Sequence, residues 1–252
     1  MKMTDNTILI TGSTSGIGRG LAEAFHKLGN KVIIAGRRRD LLDEISDANP
    51  GIEGIRLDIT DPSDIKRAAA SLLTTYPALN VLINNAGIMP FDDASGPMDD
   101  EVAQQILTTN FLGPIRMTSA LIEHLKAQNY SVIINNTSIL GFTPLASNAV
   151  YSASKAALHS YSLSQRFQLR NSNVSLQEIA PPWVNTDLVK KSGDPRAMPL
   201  EAFIGQTMAG LATDAFEVVV ESARKMRDNA GPNEHAWVNQ FNEYLAAEPI
   251  PV

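Results

Sequence analysis

Cysteine is absent from the 252-residue sequence. The absence excludes a disulfide framework, a thiolate metal site and a cysteine nucleophile. We also predict no metal site elsewhere, since no metal-ligand spacing relates the four histidines His26, His124, His159 and His235.

The sequence also has no excess of positive charge. It contains 21 lysines and arginines and 27 aspartates and glutamates, for a formal net charge of −6. Nucleic acid is not expected as a partner, because affinity for it comes largely from a surplus of basic residues. No run of about 18 apolar residues occurs, so we expect no membrane partner. The first six residues, MKMTDN, contain no apolar signal core. We therefore expect a cytoplasmic protein.

Short apolar runs rich in β-branched residues recur along the chain and are typical of strands. Amphipathic helical patterns separate them, one with Ile17, Leu21 and Phe25 on one face and Gly29 as its stop. Strands that alternate with helices predict an α/β fold, a doubly wound parallel sheet with helices on both faces. Such a sheet binds ligands beyond the carboxyl ends of its strands. The predicted strands are 7–10, 31–35, 52–57, 81–84, 132–136 and 174–179, with a further short candidate at 216–220.

Two long helices are predicted at about 99–128 and 149–171. Nothing in composition marks a linker, so we expect a single domain over residues 1–252 that binds dinucleotide and carries the chemistry. The segment 187–214 differs in character because Gly193, Pro195 and Pro199 interrupt its amphipathic pieces. It is a candidate lid over the substrate.

A glycine-rich turn follows the first predicted strand and opens a helix. Gly12 suits the tight turn, Gly16 permits the backbone to approach a phosphate, and Gly18 lets helix pack on strand. The spacing differs from G-x-G-x-x-G, so a tight turn without a ligand remains the alternative. The predicted dinucleotide-binding residues here are Gly12, Ser13, Thr14, Ser15, Gly16, Ile17 and Gly18.

Basic residues follow the second predicted strand. Folds that prefer NAD place an acid at this point to hold the ribose 2′-hydroxyl, whereas this chain has Gly36 followed by Arg37 and Arg38. Guanidinium groups bind phosphate in a forked geometry, so NADP(H) is predicted over NAD(H). The alternative is a solvated basic turn. After the third strand, Asp58 and Ile59 are predicted to contact the adenine, and a helix-capping role for the acid is the alternative.

Tyr151 and Lys155 stand four residues apart, which places a phenol and an ammonium on one face of a helix. A free phenol has a pKa of about 10, and an adjacent cation lowers that pKa. The pair therefore predicts an acid that exchanges protons with a substrate. Such a spacing also arises by chance, so surface roles for both residues remain open from the pair alone.

Several motifs in order make the chain resemble the short-chain dehydrogenase/reductase family, whose fold is of the Rossmann type. The resemblance runs from about residue 7 to residue 187. It rests on TGSTSGIG in the first turn, Asn84-Asn85-Ala86-Gly87 after the fourth strand, Asn110, Ser138, and Tyr151 with Lys155.

The resemblance implies a catalytic tetrad. Ser138 would hydrogen-bond the substrate oxygen and Tyr151 would donate a proton to it as hydride reaches the carbon. Lys155 would hold the ribose hydroxyls of the nicotinamide nucleotide and lower the pKa of the phenol, while Asn110 would hold a water that connects Lys155 to solvent. The further cofactor contacts that it implies are Asn85, Ala86, Gly87, Pro181, Val184 and Thr186.

The chain departs from the family pattern at two places. Pro182 stands where a glycine is usual, which stiffens the turn and removes an N–H donor. The usual ending, a strand and an aspartate-glycine-glycine sequence, is missing, so a homodimer through the two long helices is favoured over a tetramer.

The leading hypothesis is an NADPH-dependent oxidoreductase that reversibly reduces a small or medium uncharged ketone or aldehyde to an alcohol. The alternative is an NADP-binding sensor without turnover, for which the tetrad would be unnecessary. Candidate residues for an apolar substrate pocket are Leu140, Phe142, Trp183, Met89 and Phe203.

Overall fold

The structure is a computed structural model that describes residues 1–189, 193–228 and 231–248. Strands and helices alternate along most of the chain. The strands are β1 (Thr7–Thr11), β2 (Lys31–Gly36), β3 (Ile52–Arg56), β4 (Leu79–Asn84), β5 (Ser131–Asn136), β6 (Val174–Ile179) and β7 (Glu217–Val218). The helices are α1 (Gly16–Lys27), α2 (Arg39–Ala48), α3 (Pro62–Thr75), α4 (Asp100–Leu107), α5 (Gly113–Ala127), α6 (Ala149–Leu169), α7 (Leu200–Leu211), α8 (Arg224–Asp228) and α9 (Glu234–Ala247).

All seven strands form one parallel sheet in the order β3-β2-β1-β4-β5-β6-β7. The sheet confirms the predicted doubly wound α/β fold. Strand order reverses between β1 and β4, so the helices α1 and α5 pack on opposite faces of the sheet. A crevice therefore opens at the carboxyl ends of the strands, where ligands bind in sheets of this kind.

Alternate residues of each strand enter separate cores on the two faces of the sheet. Ile8 and Ile10 of β1 pack in one core together with Phe25 of α1, while Leu9 packs in the other together with Leu121 of α5. Strands buried on both faces need continuous apolar runs. This requirement explains why β-branched runs in the sequence indicated the strands so directly.

The predicted long helix over 99–128 is interrupted. One turn of π-helix at Thr108–Leu112 separates α4 from α5. Pro114 has no N–H to donate to the carbonyl of Asn110 four residues earlier, and its ring conflicts with a regular α-helix at that carbonyl. The wider π-turn resolves the conflict and places Asn110 in irregular backbone. The second long helix, predicted at 149–171, is α6.

The candidate lid 187–214 is only partly consistent with a mobile cover. Its second half is α7, which packs against α1 and buries Phe203 and Leu211 in the core. Residues 190–192 lie outside the described residues. Among the described residues of the segment, those that border the crevice all lie within 187–199.

The end of the described chain is a helix that joins neither core. Helix α9 has no fully buried residue. Hydrogen bonds hold it, from Trp237 Nε1 to Thr143 Oγ1 at 2.9 Å and from Asn242 Nδ2 to the Pro144 carbonyl at 3.0 Å. Across all described residues, no helix combines the length and apolar character needed to cross a bilayer.

Candidate active site

A cavity of about 670 Å³ occupies the crevice at the carboxyl ends of the strands. The loops that follow β1 to β6 line it, together with residues of α8 and α9. The glycine-rich turn and the Tyr151–Lys155 pair, which are distant in sequence, face this same cavity.

The glycines of the first turn are required by its geometry. Gly12 has φ +64°, and a Cβ added to it would lie 2.5 Å from Cα of Ala86. A Cβ added to Gly18 would lie 2.4 Å from Nδ2 of Asn85. Both distances are shorter than any real contact, so the backbones of the β1 and β4 loops approach as closely as they do because these positions have no side chain.

The start of α1 fits an anionic group. Its N-cap, Ser15, makes no side-chain capping bond, and its first turn holds no acid among the described side chains. The free N–H groups and the positive end of the helix dipole therefore point into the cavity without an internal partner. Gly12, Thr14, Ser15, Gly16, Ile17 and Gly18 all line this part of the cavity, which fits a dinucleotide pyrophosphate.

Ser13 is the exception among the predicted residues of the turn. Its side chain is fully buried, with the hydroxyl donating to the Ile10 carbonyl at 2.8 Å and the N–H donating to the Ala35 carbonyl at 3.2 Å. Both donors are used within the fold and Ser13 lies outside the cavity lining, so its contact with the cofactor stays a prediction. Ser13 ties the turn to β2.

Three consecutive arginines after β2 point in different directions. Arg37 and Arg38 line the cavity. Nη2 of Arg38 donates to Oγ1 of Thr14 at 2.6 Å, which ties this basic segment to the glycine-rich turn. Arg39 lies outside the cavity lining and pairs with Asp43 of its own helix at 2.7 Å. Positive charge therefore borders the β2 end of the cavity.

Asp58 and Ile59 line the cavity on the β3 side. Burial alone would raise the pKa of Asp58, but hydrogen bonds from Thr60 and the nearby charge of Arg37 outweigh it and lower the pKa. The side chain is thus a carboxylate that already accepts two hydrogen bonds from Thr60, at 2.9 and 2.7 Å. It orders the loop after β3 as well as bordering the cavity.

Ser138, Tyr151 and Lys155 come together at the opposite end, after β5. The hydroxyl of Ser138 lies near enough to the phenol of Tyr151 to lower the pKa of that phenol, and Ser138 Oγ accepts from the N–H of Leu140 at 3.1 Å. Lys155 Nζ donates to the Asn136 carbonyl at 2.7 Å. These contacts fix three polar side chains whose residues expose less than a tenth of their surface.

Burial shifts both titrating groups of this cluster. Desolvation raises the pKa of Tyr151 to about 12, and the nearby hydroxyl of Ser138 offsets only part of that increase. Desolvation lowers the pKa of Lys155 to about 8. Burial is thus the largest effect on the phenol, and the expected lowering of its pKa by Lys155 stays a prediction. The phenol is protonated at neutral pH, as a proton donor must be.

Asn110 braces the loop after β4. Its Oδ1 accepts from the N–H of Ile88 at 2.9 Å, and its Nδ2 donates to the Ile88 carbonyl at 2.9 Å and to Ser154 Oγ at 3.1 Å. Both amide protons are used, and Asn110 is fully buried and outside the cavity lining. The side chain of Asn110 therefore orders this loop, and the water that Asn110 is expected to hold beside Lys155 stays a prediction.

The loop after β4 places small residues beside these groups. Asn85, Ala86 and Gly87 line the cavity. A Cβ on Gly87 would lie 3.4 Å from Oδ1 of Asn110 and 3.7 Å from Nζ of Lys155, so this glycine fits closely between them. Asn85 uses its amide structurally, donating to the carbonyls of Thr11 and Gly12, both at 3.0 Å.

The segment after β6 closes the cavity from above the glycine-rich turn. Pro181, Val184 and Thr186 line it, as does Pro182. A Cβ on Gly16 would lie 3.3 Å from Cβ of Thr186, so the threonine packs directly over the turn. The structure therefore brings this segment, the turn after β1 and the loop after β4 to one cavity.

The predicted substrate-pocket residues divide into two groups. Met89, Leu140 and Trp183 line the cavity. Phe142 lies outside the lining, because its ring packs in the core against His159 with a centroid distance of 4.6 Å. Phe203 faces the core from α7. Both side chains belong to the core and lie outside the cavity lining.

Helix α9 supplies cavity residues that the sequence analysis missed. Phe241, Tyr244 and Leu245 line the cavity from one face of the helix. Their i, i+3, i+4 spacing was a usable signal for an apolar helical face, although it does not reveal what that face covers. Arg196 also lines the cavity, with its guanidinium 5.2 Å from the Trp183 ring centre and paired with Asp194 at 2.7 Å.

Comparison with known proteins identifies the family. The family model described as short chain dehydrogenase matches residues 6–197. The uncharacterized oxidoreductase DltE of Bacillus subtilis (strain 168) is 40% identical over 248 residues, which cover 96% of this chain and 98% of that protein. The NADPH-dependent 1-acyldihydroxyacetone phosphate reductase of Schizosaccharomyces pombe is 34% identical over 186 residues, 73% of this chain and 62% of that protein. The crystal structure of a short chain dehydrogenase from Burkholderia cenocepacia J2315 in complex with NADP is 27% identical, with a TM-score of 0.83 and full coverage of both chains. This chain belongs to the short-chain dehydrogenase/reductase family of oxidoreductases.

Proposed function

We propose that the protein is an NADP(H)-dependent reductase that converts an uncharged ketone or aldehyde to an alcohol, reversibly. The observation that carries the proposal is that one cavity holds both the glycine-rich turn with the free start of α1 and the side chains of Ser138, Tyr151 and Lys155.

The residues of the site divide the chemistry between them. When bound, NADPH supplies the hydride that reaches the carbonyl carbon. Ser138 holds the substrate oxygen by a hydrogen bond, and the protonated phenol of Tyr151 gives that oxygen its proton, so that the carbonyl gains one hydride and one proton. Lys155, whose pKa burial lowers to about 8, stands ready to return a proton to the phenol and to bind ribose hydroxyls. Asn110 holds the loop after β4 in place through Ile88.

The preference for NADP(H) over NAD(H) rests on the β2 end of the cavity. Gly36 stands at the strand end, where an acid would repel a 2′-phosphate, and a Cβ at this position would lie 2.8 Å from Cγ2 of Thr14. Arg37 and Arg38 bring two guanidinium groups to the same place. The solved relative from Burkholderia cenocepacia contains NADP, which supports the same assignment.

The substrate end of the cavity favours an apolar, uncharged body. Met89, Leu140 and Trp183 form its wall, with the α9 residues Phe241 and Leu245. The positive charge of Arg196 at this end is balanced by Asp194. A carbonyl compound with an aliphatic or aromatic substituent buries that substituent against these side chains.

The decisive experiment follows the ultraviolet absorbance of NADPH as the purified protein is incubated with uncharged ketones and aldehydes. We expect NADPH to be consumed, and Tyr151→Phe to abolish turnover while NADPH still binds. Tyr161→Phe, on the same helix but outside the cavity lining, is the matched control and keeps full activity. Tight NADPH binding without turnover on a broad panel would instead support a sensor.

We also propose that the protein is a homodimer assembled through the helices around α6. Leu163 and Phe167 of α6 are 50% and 62% exposed, and Leu107 of the neighbouring α4 is exposed as well. Apolar side chains of this size on adjacent helices form a face that a symmetry-related copy buries.

A further inference from the structure

The helix that carries the candidate catalytic pair begins without a cap of its own. Tyr151 lies in the first turn of α6 and Lys155 one turn later. The N-cap residue, Asn148, makes no side-chain capping bond, and the described side chains of the first turn include no acid. The first N–H groups of a helix have no partner within it, so a buried start of this kind needs one from elsewhere.

Asp92, from the loop after β4, supplies that partner. Its Oδ1 accepts from the N–H of Ala149 at 2.8 Å and its Oδ2 accepts from the N–H of Val150 at 2.8 Å. A carboxylate that accepts two backbone N–H groups at the positive end of a helix is stabilised by both the hydrogen bonds and the dipole. The cap therefore comes from a segment more than fifty residues away in sequence.

Further bonds align this loop with the start of α6. The N–H of Asp92 donates to the Ser147 carbonyl at 3.1 Å, and Asn148 Nδ2 donates to the Pro90 carbonyl at 2.9 Å. At its other end the loop is held by Asn110, which pairs with both backbone groups of Ile88. Residues 88–92 thus bridge the π-turn and the catalytic helix.

We propose that Asp92 is a positioning residue for the reaction: its carboxylate fixes the first turn of α6 and thereby holds Tyr151 against Ser138 and beside the nicotinamide. The inference rests on the proposed function for its link to catalysis. Val150, which Asp92 binds, immediately precedes Tyr151, so a shift of this turn moves the phenol directly. Displacements of about 1 Å at reacting groups cost as much as a hundredfold in rate.

The test compares Asp92→Ala and Asp92→Asn with Asp61→Ala. Asp61 caps α3 by accepting from the N–H of Ser63 at 2.8 Å and lies outside the cavity lining, so Asp61→Ala is a matched loss of a helix cap away from the site. We expect Asp92→Ala to lower kcat about tenfold or more with the KM for NADPH unchanged, and Asp92→Asn to have a smaller effect because one acceptor remains. Asp61→Ala keeps the kcat of the wild type.

Two readouts separate positioning from a general loss of stability. With NADPH deuterated at the transferred position, the primary isotope effect on kcat rises in Asp92→Ala, because hydride transfer becomes slower relative to the other steps. A smaller fraction of folded enzyme would lower kcat without changing the isotope effect, and that result would overturn the proposal.

Amide hydrogen exchange of the cofactor-free protein gives a result that does not depend on turnover. We expect the amides of residues 149–151 to exchange faster in Asp92→Ala and at the wild-type rate in Asp61→Ala. If the wild type reduces no carbonyl compound, the proposed function fails, while this measurement still decides whether Asp92 holds the helix. Equal exchange at 149–151 in the wild type and Asp92→Ala would refute its positioning role outright.

Discussion

The ammonium of Lys155 lies 5.7 Å from the centre of the Tyr151 ring, and both residues are at least nine-tenths buried. Desolvation acts on the two groups in opposite directions, raising the pKa of the phenol to about 12 and lowering that of the ammonium to about 8. Each group is thereby moved toward its uncharged form. The arrangement suits proton donation to a substrate better than proton removal from one.

These pKa shifts predict different pH dependences for carbonyl reduction and for alcohol oxidation. Reduction uses the protonated phenol, which prevails at every pH well below about 12. Alcohol oxidation uses the phenolate, whose small fraction grows tenfold with each unit of pH. We expect kcat/KM for alcohol oxidation to rise between about pH 7 and pH 10, and that for carbonyl reduction to show no such rise. Initial rates in both directions across this range test the prediction, which a flat oxidation profile would contradict.

A second prediction separates the neighbouring arginines. Replacing Arg37 by alanine removes a cation from the cavity lining, whereas replacing Arg39 removes one that pairs with Asp43 outside it. A hydrogen bond to a charged group contributes about 1.5–3 kcal/mol, so Arg37→Ala should weaken NADPH binding by roughly ten- to a hundredfold and leave NADH binding nearly unchanged. Arg39→Ala is the control. Titration of each variant with both nucleotides measures the effect, and a wild-type preference for NADH would refute the assignment.

A third prediction concerns the wall formed by α9. Phe241→Ala removes an apolar contact from the substrate end of the cavity, while Glu243→Ala changes the same helix outside the cavity lining. For bulky apolar ketones we expect Phe241→Ala to lower kcat/KM about tenfold, with little change for small ketones and for NADPH binding. Steady-state kinetics with a graded series of ketones measures the difference. An equal loss for small and bulky ketones would show that Phe241 does not select by size.

A fourth prediction tests the dimer. Leu163→Asp places a charge on the exposed apolar face of α6, and burying an unpaired charge in an interface is unfavourable. We expect this variant to elute as a monomer in size-exclusion chromatography with light scattering, whereas the wild type elutes as a dimer. Leu28→Asp is a suitable control, since Leu28 is an exposed apolar residue after α1, away from that face. A wild type that is monomeric at micromolar concentration would contradict the proposed assembly.

Much of the fold was predictable because its signals are local. Central strands of a parallel sheet, such as β1 and β5, require continuous apolar runs, and the turn after β1 requires glycine at positions that no other residue fits. The spacing of Tyr151 and Lys155 is likewise local, since one helix carries both. Such features depend little on how distant parts of the chain meet.

Features that depend on tertiary packing could not be predicted in this way. Phe203 was expected to line the pocket, but the direction of its side chain follows from the contact between α7 and α1, which no local pattern specifies. The raised pKa of Tyr151 follows from the depth of its burial. The π-turn was not predicted, although Pro114 is a signal for it. The spacing between Pro114 and Asn110 becomes informative only once the chain is known to be helical on both sides of the proline.

Helix α9 borders the cavity through three side chains, yet buries no residue completely and adds none to either core of the sheet. Its sequence is therefore free to diverge at little expense to folding, since exchanging an exposed apolar side chain disturbs no packed neighbour. Descendants of this chain can acquire new ligand preferences by changes in the last described helix alone, with the hydride-transfer apparatus inherited intact.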